Sequence, residues 1–272
     1  QADHGNVFRF YTEASINLAQ DEELLAGMRD AGFNGVFVGI ETPSEASLKE
    51  TGKFQNLKAD MLDAVYTIQR YGIEVMAGFI LGFDSDTEDI FDRQIAFIQQ
   101  SGIPRAMVGL LSALPGTELY ERLKQEGRII RQPDGNNTHC MSTNFYTKMD
   151  ERVLKEGYRR VLSSIYDLNL KNYFRRCNRL MKNLGDVQRF SGKVRFQDIQ
   201  ILFRSLLRQP FTPYGYQFVK FVAANFFRGK QFLHEAILFG IIGHHYHRIT
   251  WDMIKIETLA RDLDRSYERL RQ

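Results

Sequence analysis

Residues 73–83 have the sequence IEVMAGFILGF, an apolar run with two internal glycines. The length of the run and its aromatic and branched residues predict a buried strand. Residues 87–100 follow with apolar side chains at helical spacing, and residues 106–112 form the next apolar run. A strand, a helix and a second strand in this order predict a βαβ unit with parallel strands.

The same alternation extends toward the N-terminus. Strand-like runs cover residues 8–18 and 36–41, and helical patterns cover residues 21–30 and 60–71. The first half therefore belongs to the α/β class, as an open doubly wound sheet or as a barrel, and both forms place their sites at the carboxyl ends of the strands. From about residue 150 the strand signal fades, which predicts a mostly α-helical domain.

The two halves differ in charge. Residues 1–150 carry a net charge of −9, whereas residues 151–272 carry 23 Lys and Arg against 11 Asp and Glu, a net charge of +12. Residues 131–147 are rich in Asn, Gly, Ser and Thr and are predicted to form a linker, which gives domains at 1–130 and 148–272. Complementary faces of the two domains explain the asymmetry better than a nucleic-acid or membrane site, because the cations are scattered among apolar positions.

Cysteine and histidine usage excludes several kinds of site. Cys140 and Cys177 stand 37 positions apart, so they form neither a disulfide framework nor a clustered thiolate metal site. The histidines at 244, 245 and 247 are interpreted as solvated residues at a helix end, and no metal site is predicted. No apolar run approaches the roughly 20 residues of a membrane span and no signal peptide is present, so we expect a cytoplasmic protein.

Several polar residues and glycines fall at the predicted strand ends. Glu13, Ser15 and Asn17 share one side of a strand by its period of two, which is typical of a pocket rather than a filled core. Glu41 ends the second strand. The glycines at 78 and 82 weaken the third strand and indicate close approach of a ligand or another backbone. The acidic residues between 84 and 89 are interpreted as caps of the next helix.

Four separated motifs in order resemble one family. They are TEASINLA at 12–19, GIETPS at 39–44, GFILGFDSDT at 78–87 and LPGTELY at 114–120. Together they resemble the cobalamin-binding class of radical S-adenosylmethionine enzymes over residues 8–130. Beyond residue 150 the chain resembles the helical C-terminal extension found in a subset of that class.

The resemblance implies a partial (β/α) barrel that binds S-adenosylmethionine at its strand ends. It implies that Ser15 and Glu41 face the methionine and ribose portion, and that Ile80, between Gly78 and Gly82, lies against the adenine. The chain from Leu111 to Leu114 would complete the adenine side, and Glu13 joins the cofactor-binding set because of its place near a strand end.

The chain departs from the family pattern in one respect. The three-cysteine loop that holds a four-iron four-sulfur cluster is absent from the sequence, as are the first barrel strands and a cobalamin domain. We therefore expect the C-terminal part of a longer enzyme, a barrel truncated at its N-terminal side. The intact protein would be a cobalamin-dependent methyltransferase or a related radical oxidoreductase or rearrangement enzyme. The fragment itself is expected to be inactive, with no iron–sulfur cluster, cobalamin or S-adenosylmethionine bound.

The expected partners follow from this interpretation. They are the missing cobalamin domain and barrel strands, and a small-molecule or lipid substrate, with no nucleic acid. An exposed first strand would also allow self-association at the sheet edge. Two alternatives stay open: a non-catalytic interaction module whose basic helical half binds an acidic partner or a membrane surface, and a metal-independent barrel enzyme.

Overall fold

The first half of the chain is an α/β unit. The computed structural model describes residues 8–57, 60–133, 141–185 and 196–271. The strands are β1 (Phe10–Ala14), β2 (Phe33–Glu41), β3 (Glu74–Leu81) and β4 (Ala106–Leu110). The helices of this half are α1 (Glu22–Ala31), α2 (Glu45–Glu50), α3 (Met61–Arg70), α4 (Ile90–Ser101) and α5 (Glu118–Gln125), with 3₁₀ turns at Ile16–Gln20 and Phe54–Leu57.

The four strands form one parallel sheet in the order β1-β2-β3-β4. A doubly wound sheet reverses its strand order at a switch point, whereas a barrel adds each strand beside the last. The α/β prediction is confirmed, and the order is that of a barrel wall. On β3, alternate residues from Val75 to Leu81 are fully buried, and the Phe79 ring packs on Phe97 of α4. The intervening residues are half-exposed and define the inner face of the sheet.

The first strand is shorter than predicted. It ends at Ala14, and residues 16–20 form a 3₁₀ turn in which Ile16 and Leu18 are buried. The turn directs these two apolar side chains into the core, and strand periodicity beyond residue 14 is lost. β1 lies at the sheet edge with four of its five residues exposed, and self-association through this edge stays a prediction.

The second half is mainly helical, as predicted. It contains α6 (Glu151–Ile165), α7 (Lys171–Asn183), α8 (Phe196–Arg208), α9 (Gly215–Phe226) and α10 (Lys230–Arg271), with a 3₁₀ turn at Gln209–Phe211. Among the described residues, no helix combines the length and the apolar character needed to cross a bilayer.

The helical half packs directly on the sheet and shares its core. The Tyr158 hydroxyl of α6 donates to the Val108 carbonyl of β4 at 3.0 Å. The buried guanidinium of Arg176 in α7 donates to the carbonyls of Ile103 and Ile165 at 2.9 and 2.8 Å. The 131–147 linker stays a prediction; of its described residues, Asn144 is buried and hydrogen-bonded to Ala113.

Candidate functional site

The inner face of the sheet is built in rows set by the parallel register. Glu13 lies beside Phe37, and Phe37 lies beside Met76. The next row toward the carboxyl ends is Gly39, Gly78 and Met107, and Ile80 then pairs with Gly109. These half-exposed positions form a surface at the end of the sheet where the sites of barrels lie.

Two adjacent glycines leave a shallow trough in this surface. A Cβ at Gly78 would lie 3.1 Å from Cζ of the Phe37 ring, which covers it from the neighbouring strand. A Cβ at Gly39 would lie 2.5 Å from the Oε1 atom of Glu41. Side chains here would displace Phe37 and Glu41, so the two glycines are what lets the Phe37 ring and the Glu41 carboxylate lie close to the backbone.

Glu41 has an unusual backbone conformation. Its φ is 66°, in the left-handed region, and the β2–β3 register shifts between Gly39 and Glu41. Bulges of this kind favour glycine in the left-handed position, and another residue there costs about 1–2 kcal/mol. A strained non-glycine residue is a pointer to function, here a carboxylate held over the trough.

Neighbouring side chains hold the bulge and its carboxylate in place. The amide of buried Asn56 donates to the carbonyls of Gly39 and Ile40 at 3.2 and 3.0 Å, where the ladder is interrupted. The Lys53 ammonium lies 3.3 Å from Glu41 Oε1. Neither residue could be predicted from the sequence, because both lie in the loop and turn after α2 and no motif marks them.

The predicted site residues separate into two groups. Glu41, Gly78 and Ile80 lie together on the inner face, and Glu13 lies on the same face at the edge strand. Ser15 lies beyond the end of β1 and donates to Asn17, so the predicted row of Glu13, Ser15 and Asn17 along one strand is wrong. Whether these residues bind a cofactor stays a prediction.

Gly82 and Leu114 lie in the loops after β3 and β4. Gly82 has a φ of 100°, and a Cβ there would meet the Leu154 side chain of α6 at 3.3 Å, so the turn itself requires glycine. Its N–H donates to Asp86 Oδ2 at 2.9 Å. Leu114 is exposed, and its carbonyl accepts from the Thr117 hydroxyl at the start of α5. Their assignment to a cofactor stays a prediction.

The loop after β3 is fixed by a buried acidic residue rather than by helix caps. Asp84 Oδ1 lies 2.6 Å from Arg128 Nη2, and Asp84 Oδ2 lies 2.8 Å from Nη1 of both Arg128 and Arg122. The hydrogen bonds from Arg128 hold the pKa of Asp84 well below its usual range. Asp84 therefore ties this loop to α5 and to the segment after it.

Asp86 has a different environment from Asp84. Its carboxylate accepts from the Gly82 and Phe83 amides and from the Ser47 hydroxyl at 2.7 Å, while burial raises its pKa. At the start of α4, the Asp89 side chain makes no capping hydrogen bond. The prediction that these acids cap α4 is wrong for Asp84, Asp86 and Asp89, because the turn before the helix uses the first two.

The described residues offer no metal-binding set of three or more His, Cys, Asp or Glu side chains. Burial raises the pKa of the Cys177 thiol far above its usual range, which keeps the thiol neutral; Cys140 lies outside the described residues. The histidines lie inside α10 rather than at a helix end. His244 Nδ1 bonds the Tyr214 hydroxyl, and His247 Nε2 lies 3.0 Å from the Leu168 carbonyl.

The residues that match a known family coincide largely with the helical half of the fold. Residues 117–258, from the start of α5 into α10, match the family described as a domain of unknown function, DUF4070, and the chain belongs to this family. The matched region is the helical half together with the element that joins it to the sheet.

Several relatives that match over part of their length are named as methyltransferases or methylases. An uncharacterized methyltransferase of Synechocystis sp. is 39% identical over 185 residues, 68% of this chain and 34% of that protein. The hopanoid C-2 methylase of Rhodopseudomonas palustris is 47% identical over 118 residues, 43% of this chain and 22% of that protein. The bacteriochlorophyllide d C-12(1)-methyltransferase of Chlorobaculum tepidum is 28% identical over 133 residues, 49% of this chain and 29% of that protein. The chain spans about a third or less of the length of these relatives.

Proposed function

We propose that the chain is part of a cobalamin-dependent radical S-adenosylmethionine methyltransferase, and that the inner face of its sheet binds S-adenosylmethionine. The observation that carries the proposal is Glu41, a carboxylate held in a left-handed bulge beside Gly39 at the carboxyl end of β2. The homology to methyltransferases supports the reaction class.

The residues of the inner face fit such a cofactor. A flat base would take the trough at Gly39 and Gly78 by displacing the Phe37 ring, and the half-exposed Ile80 provides an apolar contact beside it. Glu41 and Lys53 bring opposite charges to the same edge, and a zwitterionic cofactor has groups that pair with both. In this proposal Ile80 contributes buried area, whereas Glu41 orients the polar part of the cofactor.

The other two cofactors of the class have no fitting residues in the described part of the chain. Among the described residues no metal-binding set of His, Cys, Asp or Glu is present, and the sequence has only two cysteines, too few for the three thiolates of an iron–sulfur cluster. When bound, S-adenosylmethionine would supply the reactive chemistry, and this chain's part would be to bind it, orient it and exclude water.

The relatives also indicate a class of substrate. Relatives whose names print a substrate include a hopanoid methylase and two bacteriochlorophyllide d methyltransferases. Both substrates are large, ring-containing apolar molecules. We propose a substrate of this class for the gene product that carries this chain.

The test uses that gene product, purified and reconstituted without oxygen, with S-adenosylmethionine affinity and 5′-deoxyadenosine yield measured on two variants. Ile80→Ala is expected to weaken cofactor binding by ~1–3 kcal/mol, through lost contact and an unfilled cavity. Glu41→Gln is expected to retain the fold and much of the affinity but to lower the yield, because the cofactor is less well oriented.

Matched controls separate binding from folding. Ile95→Ala removes a partly buried isoleucine from α4 on the opposite side of the sheet, and Glu45→Gln neutralises an exposed carboxylate on α2. Both should leave affinity and yield unchanged. Unaltered cofactor binding in Ile80→Ala together with unaltered yield in Glu41→Gln would refute the assigned site.

A further inference from the structure

Helix α9 is apolar on two opposite faces. One face, with Phe218 and Phe221, is buried in the core. The other carries Tyr216, Val219 and Phe226, which are 75%, 48% and 59% exposed. A helix that is apolar all round is normally covered on every side. In the described residues nothing covers the second face.

In helix α8 and the turn after it, some of the described polar side chains are buried and some of the described apolar ones are exposed. The polar residues Ser205 and Gln209 are buried and hydrogen-bonded to each other at 2.6 Å. Phe203 and Leu207 point outward with 62% and 54% exposure, and Phe211 follows in the turn at 89%. Exposed apolar side chains that lie together in this way are typical of an interaction surface.

Cations flank these apolar faces, and acids are absent from the segment. Residues 199–234 contain five Lys and Arg and no Asp or Glu. A groove of about 320 Å³ between α7 and α9 is lined by Lys171, Arg175 and Lys220 with Phe174 and Phe221 at its base. Among the described side chains, no carboxylate forms an ion pair with these three cations.

We propose that the α8–α9 surface, defined by Phe203, Leu207, Phe211, Tyr216, Phe226 and Phe227, docks on an anionic lipid bilayer, with phosphate headgroups in the α7–α9 groove. Exposed aromatic and aliphatic side chains beside Lys and Arg are the composition that binds an anionic membrane interface. This inference does not rest on the proposed function, since it uses no residue of the inner face.

The charge pattern argues against a second copy of the chain as the occupant. A two-fold contact places the same patch on both sides, so the cations at 171, 175 and 220 would lie close to the same cations of the second copy and repel them. An anionic bilayer neutralises them and accepts the apolar side chains without needing a complementary shape.

Co-sedimentation of the full chain with vesicles tests the proposal. The chain should bind vesicles of phosphatidylcholine with phosphatidylglycerol and should bind pure phosphatidylcholine far more weakly. Glycerol phosphate in solution should compete poorly, because it lacks the apolar part. Each cation at an anionic surface adds about fivefold to binding, so Lys171→Gln/Arg175→Gln/Lys220→Gln should raise the lipid needed for half-binding by about 100-fold.

The apolar part of the surface is tested separately. Phe226→Ser/Phe227→Ser removes two exposed rings and should abolish sedimentation at moderate lipid concentration. Phe54→Ser/Tyr146→Ser removes two rings of similar exposure from the other half and should bind like the parent chain. Lys49→Gln/Lys124→Gln/Lys255→Gln serves as the charge control. Far-ultraviolet circular dichroism confirms that each variant is folded.

Three results would overturn the proposal. The parent chain could fail to sediment with anionic vesicles, or the control variants could lose binding as much as the test variants. Light scattering could instead show a dimer that Phe226→Ser/Phe227→Ser converts to a monomer without any vesicle binding. The last outcome would make a second copy the occupant of the surface.

Discussion

Gly157 lies at a close contact between the helical half and the α/β half. It lies in the middle of α6, and a Cβ at this position would overlap the ring of Phe91, a buried residue of α4. Overpacking of this kind costs typically ~1–3 kcal/mol, and we expect the upper end because the Cβ would lie only 2.1–2.3 Å from three carbon atoms of the ring. Alanine is about 1 kcal/mol more favourable than glycine inside a helix, and this gain offsets part of the overpacking cost.

The expected net effect of Gly157→Ala is therefore a loss of about 2 kcal/mol in the free energy of unfolding. For a chain of this length, that lowers the melting temperature by roughly 4–8 °C. Urea unfolding followed by circular dichroism gives the free energy directly.

Gly27→Ala is the matched control. Gly27 also lies inside a helix, α1, but a Cβ there would meet no atom within 4 Å. This variant should be more stable than the parent chain by about 0.5–1 kcal/mol. The two glycine substitutions should thus act with opposite signs, and Phe91→Leu should restore part of the stability lost in Gly157→Ala. Equal or greater stability of Gly157→Ala would show that α6 is not seated on α4 as described.

Two further substitutions test the carboxyl end of the sheet. Asp84→Asn should cost about 1.5–3 kcal/mol, because Arg122 and Arg128 lose their shared charged acceptor and keep only their pairs with Glu50 and Glu126. Since the folded pKa of Asp84 lies below its ordinary value of 3.8, this stability is fully present above about pH 4 and is lost as the pH falls through the folded pKa. Urea unfolding should show a constant difference between parent and variant from pH 5 to 8 that shrinks below pH 4; a difference that grows in acid would contradict the assignment. Gly39→Ala should change the free energy of unfolding by less than about 1 kcal/mol, because a gain in strand propensity offsets a weakened ion pair between Glu41 and Lys53. It should nevertheless reduce S-adenosylmethionine affinity, because the added Cβ displaces the Glu41 carboxylate. Parallel unfolding and binding measurements check this, and unchanged affinity would contradict the trough as a binding surface.

Periodicity was sufficient to predict the alternation of strands and helices. The strands around Val75 to Leu81 and the helix after them appear where apolar spacing placed them, because burial on one face imposes that spacing. The barrel-type order could not be read from periodicity, since it depends on which strands pair. The four motifs and the resemblance they carry supplied that expectation.

Site residues could be predicted from the sequence only where the strand pattern alone determines which face of the sheet a side chain lies on. Gly78 and Ile80 sit inside a regular strand, so their shared face follows from a period of two. The direction of the Ser15 side chain does not follow from this period, because β1 ends at Ala14 and the chain turns to bury Ile16. Asn56 and Lys53 reach Glu41 from a separate loop, and only the tertiary structure brings them there.

At position 41, thermal stability and the proposed site favour different residues. A glycine there would take the left-handed conformation without strain and would suit the bulge better than glutamate does. Selection for higher melting temperature alone would therefore favour replacing Glu41, and it would remove the carboxylate together with the strain. An engineering effort that scores this chain by heat resistance or expression would lose the centre of the proposed site while its scores improved.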